Sequence, residues 1–375
     1  MILTNANIFT RDCTFKLGSL EIEDGRITRL IFDNVPNSDY DCQGAYLIPG
    51  LIDIHSHGAN GHDYCDANEE AFNAITSYEL AHGITSICAT TMTYPKDKLE
   101  AVMKAMKDYK NENGSEIVGI NMEGPFISKD KVGAQNPDFV QNPDIEMLDE
   151  LNEASRDMIK LVDVAPEVDG GIDFIKKASK NYVVSVAHTN CDYEKATEAF
   201  KNGAKHLTHT FNAMPPIHHR SPGPIVAAAE NGASAEIICD GQHVNYAAVR
   251  LAFKLFDNNI CLISDSCEAT GLSDGQYSIG GQDIIKKGTK VVLKDSPDTI
   301  AASVTNLFDC LKHAILDANI PKEVAIASAT INSAKAIGID MLYGSLEPGK
   351  FADMLLLNDN FEIIDIFKRG LKVKK

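Results

Sequence analysis

Ile48-Pro49-Gly50-Leu51-Ile52-Asp53-Ile54-His55-Ser56-His57-Gly58 decides the reading of this chain, because an apolar run ends there in two histidines one residue apart. In an extended strand alternate side chains share a face, so His55 and His57 point the same way, past the strand's end. Two imidazoles so placed suit a metal ion, and they equally suit hydrogen bonding at a strand terminus. The rest of the chain has to separate the two.

The run 51–55 is the first of eight of similar kind, followed by 85–91, 117–122, 159–165, 182–187, 206–210, 235–239 and 260–265. Helix-like stretches at 69–81, 96–111, 146–155, 193–201 and 245–256 fall between them. Eight βα units in one domain predict an α/β fold of the (β/α)8, TIM-like barrel type, with its reactive groups at the C-terminal ends of the strands. The two chain ends have another texture. Residues 1–48 alternate short β-prone runs with turns, among them Asp24-Gly25, a strong hairpin signal. Residues 344–350 form a turn-rich hinge before further apolar runs. The expected organisation is a small β-sandwich domain built from residues 1–48 plus 346–375, and a barrel from 49–345.

Composition narrows the class. A formal net charge of −18 disfavours nucleic acid and anionic membranes, and requires any phosphate to be held by local positive groups. No apolar run approaches the roughly 20 residues of a membrane span. Met1-Ile2-Leu3-Thr4-Asn5 lacks the basic and long apolar regions of an export signal, so a cytoplasmic location is expected. Nine cysteines without a Cys-x-x-Cys pair read as reduced core thiols. A Gly-x-Gly-x-x-Gly after the first strand and a P-loop are both absent, which removes support for dinucleotide or P-loop chemistry.

Polar residues of metal-ligand or acid-base type close five of the eight runs: His55 and His57 the first, Glu123 the third, His188 the fifth, His209 the sixth and Asp265 the eighth. Any one of them could be a satisfied core residue or a cap. Six on one rim are hard to assign to packing.

At this point the segments Pro49 to Gly58, Met122-Glu123-Gly124-Pro125-Phe126, Ala187-His188-Thr189-Asn190, Thr208-His209-Thr210-Phe211-Asn212-Ala213-Met214, His218-His219-Arg220-Ser221-Pro222-Gly223, Cys239-Asp240-Gly241-Gln242-His243 and Ser264-Asp265-Ser266 can be taken together. The sequence resembles the N-acetylglucosamine-6-phosphate deacetylase family of the amidohydrolase superfamily over nearly its whole length. The resemblance implies hydrolysis of the acetamide of N-acetyl-D-glucosamine 6-phosphate to D-glucosamine 6-phosphate and acetate, in amino-sugar metabolism, by a cytoplasmic homodimer. It implies that Glu123, His188 and His209 hold the catalytic divalent metal and that His55 and His57, with Glu123 bridging, hold a second. One or two ions per subunit are expected, and a nitrogen and oxygen shell without thiolate suits Zn²⁺, Fe²⁺, Mn²⁺ or Co²⁺.

Asp265 is expected to take the proton of the attacking water and return it to the departing nitrogen. Arg220, His243, Asn212, Ala213 and the loop carrying Ala134 and Gln135 are expected to bind the sugar phosphate, and the sequence leaves open whether that loop comes from the same subunit. Two departures stand out: Gln135 where histidine is common in the family, and the Ile300 to Ala302 segment where glycines are usual. Ala302 is expected to crowd a backbone contact with the sugar. Alternatives are a deacetylase of N-acetylgalactosamine 6-phosphate, another amidohydrolase, and a non-enzymatic barrel scaffold. The filled ligand positions speak against the scaffold.

Overall fold

The computed structural model describes residues 1–32, 37–111 and 113–374, so residues 33–36 and 375 of the expected β unit lie outside the described residues. Eight strands lie side by side in chain order: β1 (Leu51–Ser56), β2 (Ile84–Thr91), β3 (Glu116–Met122), β4 (Ile159–Val164), β5 (Val183–Val186), β6 (His206–Leu207), β7 (Ser234–Ile238) and β8 (Ile260–Ile263). Each neighbouring pair is parallel. The sheet closes at its mouth. The Asp265 N–H donates to the His55 carbonyl at 2.9 Å, and the His57 N–H to the Ser266 carbonyl at 2.8 Å. This is the expected barrel, joined where the first and eighth runs carry their polar residues.

The local causes are visible in burial. All eight residues of β2 are buried, as a parallel strand walled by barrel interior and helices requires. The helix Glu69–Ala81 starts where the Asn68 side chain accepts the Ala71 N–H, and buries Phe72, Ile75, Thr76, Glu79 and Leu80 at helical spacing.

Five strands stop short of the expected ends, those expected to reach Ala165 and Cys239 by one residue, and the other three share one reason. The runs expected to reach Ala187, Thr210 and Asp265 end at Val186, Leu207 and Ile263. Just beyond, His188 (φ 42°), His209 (φ 26°) and Asp265 (φ 51°) take positive backbone angles that no strand can continue.

The chain ends fold together as expected. Strands run in the order Leu371–Lys372, Ile363–Lys368, Met354–Leu357, Tyr46–Pro49, Ile2–Phe9, Phe15–Glu23 and Arg26–Ile31, with Tyr40–Asp41 also pairing Ile2–Phe9. Asp24-Gly25 makes the anticipated hairpin, with φ of 49° and 74°. The sheet turns back on itself, since Ala352 donates to the Gly25 carbonyl and Gly349 to that of Ile27. Its layers enclose a separate core of Leu3, Ile8, Leu20, Ile27, Leu47, Leu356 and Phe367, drawn from both ends of the chain.

One element has no counterpart in the sequence reading. Between β8 and the last helices, Gly275–Ile279, Gln282–Lys287, Lys290–Leu293 and Ser296–Ile300 form an antiparallel sheet of three consecutive hairpins. It reaches the barrel mouth, where Gln282 Nε2 donates to the Ala134 carbonyl at 2.6 Å.

Candidate metal centre

The strand β1 delivers His55 and His57 to the mouth, both buried, with ring centroids 5.2 Å apart. Opposite them, buried Glu123 follows directly on β3. The next residue must be glycine, because a Cβ at Gly124 (φ +82°) would lie 2.1 Å from Thr93 Oγ1. The left-handed turns after β5 and β6 bring His188 and His209 to the other side of Glu123.

Among the described residues two groups result that could hold a metal ion, His55 with His57 and Glu123, and Glu123 with His188 and His209. Glu123 Oε1 lies 3.0 Å from His188 Nε2, 3.1 Å from His209 Nε2 and 3.5 Å from His55 Nε2. Its Oε2 lies 3.3 Å from His57 Nε2. Asp265 Oδ1 closes the ring at 3.3 Å from His57 Nε2 and 3.6 Å from His55 Nε2.

The donor set fits a divalent cation on grounds internal to the fold. His188 Nδ1 sits 2.8 Å from the Lys131 carbonyl, which can only accept, so a neutral His188 offers a bare Nε2 lone pair. That Nε2 faces His209 Nε2 at 3.0 Å, a repulsive contact unless a proton or cation is shared. His55 Nδ1 likewise donates to Glu236 at 2.8 Å, and His55 Nε2 is buried without a hydrogen-bond partner.

The electrostatics agree. Burial alone would lower His55, but the carboxylates of Glu236, Asp265 and Glu123 carry it well above the ordinary histidine value. Burial likewise opposes His57, which Asp265 and Glu123 push up to about 10. Burial raises Glu123 and Asp265; the facing histidines reverse this and leave both below the usual carboxylate range. A concentrated anionic field therefore demands positive charge at the mouth, and a dication satisfies it while leaving the imidazoles neutral.

The other expected residues divide. Gln135 is buried, its Nε2 donating to Glu123 Oε2 and its Oε1 accepting the Thr93 N–H at 2.6 Å. The loop therefore closes on Glu123 of its own subunit. Asn212 Nδ2 donates to the His209 carbonyl at 3.1 Å, and the Ala213 carbonyl accepts the Thr189 N–H, so both shape the turns that carry the two histidines. His243 is held at Nδ1 by Asp240 at 2.7 Å, and Ala302 is buried beside Ser303, whose N–H donates to the Asp265 carbonyl at 2.8 Å. Ile300 ends the inserted sheet. Arg220 stands apart on an exposed turn, with its Nη1 2.7 Å from His219 Nε2.

Glu236 has no place among the residues expected from sequence, and His206 is expected there as a structural or surface histidine. Glu236 and His206 are fully buried beneath the ligands, with Glu236 Oε1 3.0 Å from His206 Nε2. The available signal was a glutamate inside the otherwise apolar run 235–239.

Comparison with known proteins is consistent with this geometry. Residues 46–373 match the amidohydrolase family. The N-acetylglucosamine-6-phosphate deacetylase of Bacillus subtilis is similar, at 32% identity over 383 aligned positions that cover 99% of this chain and 96% of that protein. The N-acetylgalactosamine-6-phosphate deacetylase of Escherichia coli O157:H7 is 29% identical, covering 94% and 93%. Among solved structures, a mutant N-acetyl-D-glucosamine-6-phosphate deacetylase from Mycobacterium smegmatis in complex with N-acetyl-D-glucosamine-6-phosphate superposes with a TM-score of 0.94 at 29% identity, covering 100% of this chain and 99% of that one.

Proposed function

From the premise that this chain belongs to the amidohydrolase family, we propose that it hydrolyses the acetamide of N-acetyl-D-glucosamine 6-phosphate, releasing acetate and D-glucosamine 6-phosphate. The observation that carries the proposal is the shared carboxylate: Glu123 stands between two histidine pairs while Asp265 faces the same opening. In this reading Glu123, His188 and His209 hold the catalytic metal, and His55 and His57 hold a second with Glu123. Zn²⁺, Fe²⁺, Mn²⁺ and Co²⁺ all suit this nitrogen and oxygen shell.

Bound there, a divalent metal supplies polarisation of the acetyl carbonyl and acidification of a water, whose pKa falls from about 16 toward about 7. Asp265 takes the proton of the attacking water and hands it to the departing nitrogen, serving as base and then as acid. The histidines keep it ionised against the effect of burial, and its backbone is pinned to His55 and Ser303. His243, oriented by Asp240, presents Nε2 toward the sugar. The Asn212-Ala213 turn, the Ala134-Gln135 loop and the Ile300 to Ala302 segment frame the sugar. Arg220 supplies the planar fork for phosphate. Its turn is exposed, and a cytoplasmic homodimer is part of the same proposal.

The test is acetate release by the metal-loaded protein from N-acetylglucosamine 6-phosphate, its galactosamine epimer and unphosphorylated N-acetylglucosamine. Fastest turnover of the first is expected. Preference for the epimer would move the assignment to the second reading, which the similarity to the galactosamine enzyme keeps in view, and no release from any of them would end it.

A further inference from the structure

Beneath the ligand shell lies a buried relay that the reaction does not use directly. Glu236 Oε2 accepts from His55 Nδ1 at 2.8 Å and from the main-chain N–H of His209 at 3.1 Å. Glu236 Oε1 accepts from His206 Nε2 at 3.0 Å, and His206 Nδ1 lies 2.6 Å from Ser234 Oγ. One carboxylate therefore touches a residue of each ligand group, the ring of His55 in one and the backbone of His209 in the other.

We propose that Glu236 is a positioning residue that aligns the two halves of the metal centre together, with His206 as its support. The inference rests on the metal-centre reading above. Its physical content is specific. A carboxylate can only accept here, so Glu236 forces the proton of His55 onto Nδ1 and leaves Nε2 free as a ligand atom. Such an anionic partner also makes the imidazole a better donor. By taking the His209 N–H, the same oxygen stabilises the left-handed backbone (φ 26°) from which the His209 ring projects toward Glu123. His206 fills the remaining oxygen and keeps the carboxylate from rotating away.

A group that only satisfied a buried cavity would affect folding with and without metal alike. A positioning group acts on metal affinity beyond any effect on folding. The test compares parent, Glu236→Gln, Glu236→Ala and His206→Gln, using zinc alone as the probe. Metal bound per subunit, the rate of zinc release to a chelator, and the rise in Tm that zinc adds to the apoprotein are measured for each.

Glu236→Gln keeps the volume and one acceptor, so it carries the test if the alanine variant fails to fold. The expected result is zinc affinity about 10–100-fold weaker in Glu236→Gln, with faster release and a smaller zinc-induced rise in Tm, and a milder effect of the same kind in His206→Gln. A folded Glu236→Gln protein with the parent's zinc stoichiometry, release rate and Tm increment would overturn the proposal. A parent protein that bound no zinc, manganese, cobalt or ferrous iron would instead overturn the metal-centre reading itself.

Discussion

Replacing Asp265 by asparagine removes one acid-base group while leaving its anchors in place. The main-chain bonds that hold the residue, from its N–H to the His55 carbonyl and to its carbonyl from the Ser303 N–H, do not involve the side chain. Its backbone sits at φ 51°, a conformation that asparagine tolerates better than most residues, so the turn survives the change. What is lost is a carboxylate oxygen 3.3 Å from His57 Nε2 that can accept a proton and give it back. Positioned proton transfer contributes about 10²–10⁴-fold to rate, which corresponds to about 3–5 kcal/mol of barrier. Initial rates of acetate release at saturating substrate, with metal content measured on the same samples, test this. The expected outcome is kcat lower by that factor with metal content unchanged. A kcat within about tenfold of the parent would refute the acid-base role, and a folded variant emptied of metal would make Asp265 chiefly a ligand.

Three further outcomes are expected. Arg220→Ala should lower kcat/KM for the phosphorylated sugar by about 10–100-fold, the worth of a lost charge-assisted hydrogen bond, and leave the unphosphorylated sugar unaffected; equal losses on both would take Arg220 away from the phosphate. His55→Asn combined with His57→Asn should leave one metal on Glu123, His188 and His209 with reduced turnover, and complete loss of metal would show that the pair founds the site. Glu79, fully buried with both carboxylate oxygens unpartnered among the described residues, is raised by burial well above its ordinary 4.5. Because the unfolded state ionises first, this residue destabilises the fold increasingly as pH rises from about 4.5 toward the higher folded value. Glu79→Gln should therefore match the parent's Tm in acid and exceed it at alkaline pH, with unchanged activity; a Tm difference that does not grow with pH would contradict the assignment.

Much of the barrel was readable because buried parallel strands leave long apolar runs, and β2 or β3 has little else to be. The residues that gather at the mouth were readable because histidine and glutamate at the ends of such runs have few structural uses. The misjudged positions have physical causes. Alternation and β-propensity carried the expected strands through Ala187, Thr210 and Asp265, but propensity is blind to the left-handed turns that aim His188, His209 and Asp265. The inserted sheet was signalled by Gly280-Gly281 and Gly288 at hairpin positions, yet its strands are short and half exposed, so their pattern is weak. Glu236 and His206 act through other residues, and such support depends on which strands become neighbours, a property that no single segment carries.

The strand Tyr46–Pro49 runs directly into β1, yet its partner on one side is Met354–Leu357. During synthesis that partner emerges more than three hundred residues later, when almost the whole barrel is already outside the ribosome. The base of the strand that bears His55 and His57 therefore waits, half paired, for residues 354–357 to emerge. The mouth can close earlier, because β1 and β8 are joined there through Asp265 and Ser266, which precede that strand. If the proposed metal site is right, a ribosome-bound fragment ending before residue 354 should hold metal more weakly than one that includes residues 354–357, as zinc binding to stalled nascent chains would show.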